Sequence, residues 1–294
     1  MKLQGIFPAL TTCFDHQGNL YKVKVLHNVE KLNAISLSGY VVGGSTGETP
    51  FLSSEERFQL MAWVKEASAP GKTLIAGVGA ESVHETVRLA NKAAETGYDA
   101  ALVLTPFYYP NQMHRPATQA LFFRAVADRS KLPVLLYNIP QVTGYALPPE
   151  TIAELSHHPN IAGMKDSSGN LAGMAETLKL VEPGFQIVTG AGATLFDALQ
   201  LGAAGAILAI ANALPYACVT IWEAFRTREH DAAKDWQARL LPVSNLIASA
   251  YGIPALKYAM DLKGYYGGLP RLPFLPLSAE GRAEMEQILA TVGV

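Results

Sequence analysis

Cysteine is scarce: the 294-residue chain has two, Cys13 and Cys218, far apart. That excludes a disulfide framework and leaves a zinc site without ligands in usable spacing. An excess of one charge is missing too. The 23 Lys and Arg stand against 25 Asp and Glu, a formal net charge of -2, so there is no basic face to hold nucleic acid. A long hydrophobic run is also absent. The most apolar stretch, GAAGAILAIANALPYACV (202–219), is interrupted by Asn212 and Pro215, which argues against a membrane span and for a buried strand running into a helix. The opening MKLQGIFPAL is broken by Gly5 and Pro8 and does not read as a signal peptide. A reducing cytoplasm is the expected setting. Of the histidines, His157 and His158 precede Pro159 in a turn, while His16, His27, His84, His114 and His230 are scattered, so neither a metal nor a cofactor is expected.

What is present is alternation. Short apolar runs without strict period-two patterning mark strands buried on both faces. They recur at 5–10, 39–44, 73–78, 100–105, 133–138, 161–166, 186–190 and 205–210, with helix-period segments between them. The segment 53–67 can be N-capped by Ser53 or Ser54, with Glu55 and Glu56 in its first turn. Ser82 with Glu85 forms a capping-box pattern, and Gly97 supplies a stop. Eight such β-then-α units predict an α/β fold, a (β/α)₈ TIM barrel over residues 1–226. Residues 227–294 then read as a C-terminal helical extension packed on the barrel, with helices at 231–250, 254–262 and 278–292. An open doubly wound sheet would carry a Gly-rich fingerprint after its first strand, and PALTTCFDHQG has none.

In such barrels the chemistry lies at the C-terminal strand ends. Four ends stand out: Gly43-Gly44-Ser45-Thr46-Gly47-Glu48, Thr105-Pro106-Phe107-Tyr108-Tyr109, Tyr137-Asn138 and Lys165-Asp166-Ser167-Ser168. Lys165 closes an apolar run, where an ammonium loses solvation. Tyr137 and Lys165 are 28 residues apart, one βα repeat, so they occupy matching levels on neighbouring strands. Lys165 can still snorkel outward and pair with Asp166, but adjacent strand residues point to opposite faces, which makes that partner awkward. An amine beside a tyrosine suits attack on a carbonyl carbon, with the phenol passing protons to the carbinolamine. Ser45 and Thr46 fit either a carboxylate-receiving turn or the N-cap of the next helix. Tyr108 and Tyr109 fit packing or an interface. Gly190-Ala191-Gly192 offers a weak phosphate-loop pattern.

Together GGSTGE (43–48), TPFYYP (105–110), YNIP (137–140) and GMKDSSGN (163–170), each at the expected strand end, resemble the dihydrodipicolinate synthase and N-acetylneuraminate lyase family over essentially the whole chain. The resemblance implies a class I aldolase or lyase that binds pyruvate, or a 2-oxo acid cleaved to pyruvate, as a Schiff base without a cofactor. It implies Lys165 as the imine-forming residue, Tyr137 as proton shuttle, and Ser45 and Thr46 as hydroxyl relay and carboxylate site. Tyr108 would be donated across a tight dimer interface, and Gly44, Ser167 and Ile207 would line the substrate pocket. The partners implied are a small-molecule substrate and further copies of the chain, as dimer or tetramer.

Within the family the residues pull several ways. The synthases carry arginine where this chain has Val142, and serine replaces their usual threonine at Ser45. Sialate lyases carry Gly-Tyr-Asp-Glu where this chain has Gly190-Ala191-Gly192-Ala193. HPNIAGMKDSSG (158–169) and YGIPALKYAMDLKGYYGG (251–268) look closest to 4-hydroxy-2-oxoglutarate aldolases, in which the serine two after the lysine, here Ser167, belongs to the site. The first expectation is therefore a 4-hydroxy-2-oxoglutarate aldolase-like enzyme. The alternatives are dihydrodipicolinate synthase, which condenses pyruvate with aspartate semialdehyde, a noncatalytic regulatory barrel, and a phosphate-handling barrel.

Overall fold

A computed structural model describes residues 2–293. The strands are β1 (Gly5–Pro8), β2 (Gly39–Val42), β3 (Thr73–Gly77), β4 (Ala100–Leu104), β5 (Val134–Asn138), β6 (Ile161–Asp166), β7 (Gln186–Thr189) and β8 (Gly205–Leu208). They form one parallel sheet in the order β1-β8-β7-β6-β5-β4-β3-β2. The seam between β1 and β2 is joined by a single parallel bridge, Ala9 to Val41, with the Leu10 N–H donating to the Val41 carbonyl at 2.9 Å. The result is the nearly closed (β/α)₈ barrel that the alternating pattern predicts.

Side-chain alternation sorts each strand between two cores. Phe7, Val41, Ile75, Leu102, Leu135, Val188 and Ile207 fill the barrel interior. Their neighbours Ile6, Tyr40, Leu74, Val103, Leu136, Met164 and Ile187 face the surrounding helices. Because both faces are buried, each strand reads as an unbroken apolar run.

The helix starts resolve the capping alternatives. Ser53 caps helix Ser54–Ala67 with a full box: its hydroxyl accepts the Glu56 N–H at 3.2 Å and the Glu56 carboxylate accepts the Ser53 N–H at 2.9 Å. At Ser82 the box is half made. The hydroxyl accepts the Glu85 N–H, but the Glu85 carboxylate is held by Arg88 and the Ser54 hydroxyl. Gly97, at φ 85°, terminates helix Val83–Glu95 as the pattern predicts.

After the eighth barrel helix, Pro215–Arg226, come His230–Asn245, continued by a π-turn over Leu246–Ala250, then Ile253–Leu262 and Ala279–Val292. Gln237 ties the first of these to the barrel mouth by donating to the carbonyls of Gly192 and Ala193, both at 3.0 Å. Farther along, the Arg271 guanidinium forks onto both oxygens of Glu56 at 2.6 and 2.8 Å. The C-terminal segment thus touches the βα loops as well as the outer helices.

Leu102 is 1% exposed inside the barrel, where its neighbours are fixed by the sheet. Leu102→Ala is expected to lower unfolding free energy by about 2–5 kcal/mol in urea titrations; a loss below about 1 kcal/mol would mean that the interior can collapse around the cavity.

Candidate active site

The site starts from strand register. Parallel pairing of β5 with β6 sets Tyr137 directly beside Lys165. Period-two alternation turns both side chains into the barrel and sends Met164 and Asp166 the other way. Tyr137 and Lys165 are each 4% exposed, the Lys165 Nζ donates to the Tyr137 Oη at 3.1 Å, and the Nζ lies 4.2 Å from the ring centroid.

Asp166 is not the lysine's partner. Its carboxylate accepts from Asn138 Nδ2 at 2.9 Å and from the Ser168 N–H and hydroxyl at 3.0 Å each. These bonds hold the tops of β5 and β6 together on the outer face.

Two further groups converge on Tyr137. Beyond β2, Gly43 at φ 74° starts a tight turn, and Ser45–Gly47 form one 3₁₀ turn. The Gly47 N–H donates to Gly44 O at 2.9 Å and the Glu48 N–H to Ser45 O at 3.1 Å. Since Ser53 caps the next helix, the hydroxyls of this turn are not spent as caps. The Ser45 and Ser167 hydroxyls both act on the Tyr137 phenol to lower its pKa. Burial acts to raise the Tyr137 pKa, but the Lys165 charge and the bonds from Ser45, Lys165 and Ser167 outweigh it and hold the phenol below the usual tyrosine range. A phenol so placed is suited to proton transfer.

The other predicted residues sort as follows. Thr46 and Gly44 are buried in the same turn. Ile207 is fully buried in the barrel interior, paired in register with Phe7. Tyr108 lies outside the cluster within one chain: it is 71% exposed and packs edge-on against Tyr109 at 5.1 Å. Val142 sits on the short helix Pro140–Thr143 and is half exposed.

Gly190 has a different use from phosphate binding. The Gly190 N–H already donates to Asp166 O at 2.6 Å and the Ala191 N–H to Thr189 Oγ1 at 3.1 Å, so neither is free for an anion. Gly190 is instead a clearance. A Cβ there would fall 1.9 Å from Ser167 Oγ and 2.8 Å from Lys165 Cε. The sequence carries no local sign of this, because the crowding comes from the neighbouring strand.

Also missed in the sequence are Glu48 and Lys257, which form an ion pair at 2.6 Å with side chains 0% and 1% exposed. The single available signal is an acidic residue directly after the hydroxyl turn. Among the described residues no group of three His, Cys, Asp or Glu could hold a metal ion, and no helix is long and apolar enough to cross a membrane. An open cleft of about 480 Å³ lined by Ser156, His157, Glu182 and Gln186 lies at the opposite end of the barrel, near the starts of β6 and β7, and includes none of the residues above.

Known proteins share this chain's sequence pattern and its fold. A profile of the dihydrodipicolinate synthetase family matches residues 2–292. The 4-hydroxy-tetrahydrodipicolinate synthase of an Exiguobacterium species is 34% identical over 96% of this chain and 95% of its own. The crystal structure of a dihydrodipicolinate synthase from Bacillus anthracis superposes with a TM-score of 0.94 at 29% identity, covering 99% of this chain and 98% of the other. A chloride-inhibited dihydrodipicolinate synthase from Acinetobacter baumannii, solved in complex with pyruvate, gives a TM-score of 0.94 at 27% identity over 100% of both chains.

The Gly190 clearance is testable by stability alone. Gly190→Ala is expected to cost about 1–3 kcal/mol by overpacking, and adding Ser167→Ala should return at least half of it in denaturant melts. A Gly190→Ala chain as stable as wild type would show that the two strand ends are not in contact.

Proposed function

The chain belongs to the dihydrodipicolinate synthetase family and is a class I carbon–carbon lyase; from that premise we propose that Lys165 forms a Schiff base with pyruvate and that Tyr137 moves the protons. The observation that carries this is the 3.1 Å contact between Lys165 Nζ and Tyr137 Oη inside the barrel. A free amine is needed to attack the pyruvate C2 carbonyl. The nearest acceptor for the departing proton is the Tyr137 oxygen, whose pKa is held down. Attack gives a carbinolamine; its hydroxyl leaves as water after Tyr137 returns a proton, and the imine remains. Tyr137, left deprotonated by that step, takes a proton from the pyruvate methyl to give an enamine, which adds to an aldehyde carbon while Tyr137 returns the proton to the aldehyde oxygen; the reverse sequence cleaves the same bond. Ser45 and Ser167 keep the phenol aimed, and Ser45 and Thr46 are the groups we assign to the pyruvate carboxylate. Ser167, Gly44 and Ile207 complete the assigned pocket. Tyr108, exposed in one chain, enters the relay when a second copy supplies it.

The comparisons move the synthase reading ahead of the aldolase reading that the sequence alone favours. Condensation of pyruvate with aspartate semialdehyde is therefore the first assignment, supported by curated relatives named 4-hydroxy-tetrahydrodipicolinate synthase at 34% and 35% identity. Cleavage of 4-hydroxy-2-oxoglutarate is the second, and one residue favours it. Val142 offers no cation to the semialdehyde's carboxylate, and a missing charge-assisted bond is worth about 1.5–3 kcal/mol.

Pyruvate with borohydride is expected to inactivate the enzyme and leave a reduced pyruvyl adduct on Lys165, read by peptide mass mapping. An adduct on Lys72 or Lys257, or none, removes the mechanism. For the second substrate, kcat/KM for the semialdehyde condensation is compared with that for 4-hydroxy-2-oxoglutarate cleavage. Faster condensation is expected; faster cleavage assigns the aldolase and gives Val142 its weight.

A further inference from the structure

Lys257 is the second deeply buried lysine of the chain, and the chemistry above does not use it. Its ammonium meets Glu48 Oε1 at 2.6 Å, donates to Leu269 O at 3.1 Å and lies 4.7 Å from the centroid of the Phe14 ring. Burial pushes its pKa below the usual lysine range, with Glu48 opposing. The other Glu48 oxygen accepts the Arg271 N–H at 2.8 Å. The carboxylate is thus gripped twice, both times by the C-terminal segment.

The grip falls on a residue in an unusual backbone state. Glu48 sits at φ 56°, ψ 32°, one of two non-glycine residues with positive φ among those described, the other being Arg228. A glutamate gains nothing locally from that conformation, so something outside the turn must hold it there. The same residue closes the hydroxyl turn, because its N–H donates to the Ser45 carbonyl at 3.1 Å. The Ser45 hydroxyl in turn acts on the Tyr137 phenol and lowers its pKa. A continuous path therefore runs from Lys257, on helix Ile253–Leu262, through Glu48 and Ser45 to Tyr137 and Lys165.

We propose that Glu48 and Lys257 are positioning residues: the buried pair anchors the Ser45–Thr46 turn to the C-terminal segment and so keeps the Ser45 hydroxyl turned toward Tyr137. A buried ion pair is a poor device for stability, since well-packed apolar side chains of the same volume do as well or better. It is a good device for fixing one conformation of a strained turn. The inference rests on the Schiff-base reading and adds that the C-terminal helices belong to the catalytic scaffold.

The test uses Glu48→Gln/Lys257→Met, which removes both charges with little change of volume and leaves an acceptor for the Arg271 N–H. Glu48→Gln alone serves if the double variant does not fold. The readout is the limiting rate of pyruvate-dependent borohydride trapping on Lys165, with the pyruvate concentration for half-maximal rate and the pH profile. Expected are a fall of about tenfold in limiting rate, a half-saturation shift under threefold, and an upward move of the pH limb that Tyr137→Phe abolishes. In a Ser45→Ala background the same substitutions should change the limiting rate by less than twofold, because the path is already cut there. An equal loss in both backgrounds, or a folded variant that traps at the wild-type rate, overturns the positioning role while leaving the Schiff base intact. Wild-type protein without a Lys165 adduct overturns the Schiff-base reading and this inference with it.

Discussion

The site depends on one constraint, the parallel register that sets Lys165 beside Tyr137 on the inner face of the barrel. Bringing an ammonium out of water costs several kcal/mol even after the protein relaxes. Here that cost is met by a phenol at 3.1 Å and by the face of the same ring, with the Ser45 and Ser167 hydroxyls helping to keep the phenol acidic. Shift β6 by one residue and Lys165 would face the helices while Asp166 entered the barrel. The bonds of Asp166 to Asn138 and Ser168 guard against that slip from the outer face. Gly190 guards the inner one, leaving room that no other residue would leave.

Much of this was legible in the sequence because the governing signals are local or periodic. Eight unbroken apolar runs follow from strands buried on two sides, and the 28-residue interval between Tyr137 and Lys165 follows from one βα repeat. The choice between Ser53 and Ser54 as cap, and the half-made box at Ser82, turn on where a carboxylate finds its partner, which spacing does not settle. Glu48 with Lys257 was hidden for a stronger reason. The two lie 209 positions apart, each looks like a surface charge in isolation, and only the return of the C-terminal segment to the barrel mouth brings them together. Gly190 read as half of a weak phosphate pattern because the side chains it clears belong to another strand.

The residues assigned to imine chemistry and those assigned to the choice of second substrate occupy different parts of the fold. The first are fixed by strands β2, β5 and β6 and by the turn after β2. Val142 lies on a short helix outside the strands, half exposed, where it takes no part in the register. A barrel built this way can keep its Schiff-base centre while its rim changes partner aldehydes, which is why family membership is plain and the second substrate is not fixed by it.

The central claim is electrostatic: Lys165 and the hydroxyls around it hold the Tyr137 phenol below the ordinary tyrosine range against the opposing effect of burial. The direct measurement is an NMR titration of protein labelled at tyrosine Cζ, with the Tyr137 resonance assigned by its absence in Tyr137→Phe. In wild type this signal should titrate below about 10, the usual tyrosine value, and in Lys165→Met, where the cation and its hydrogen bond are gone, it should move above it. A Tyr137 signal that titrates at the same pH in both proteins would contradict the account.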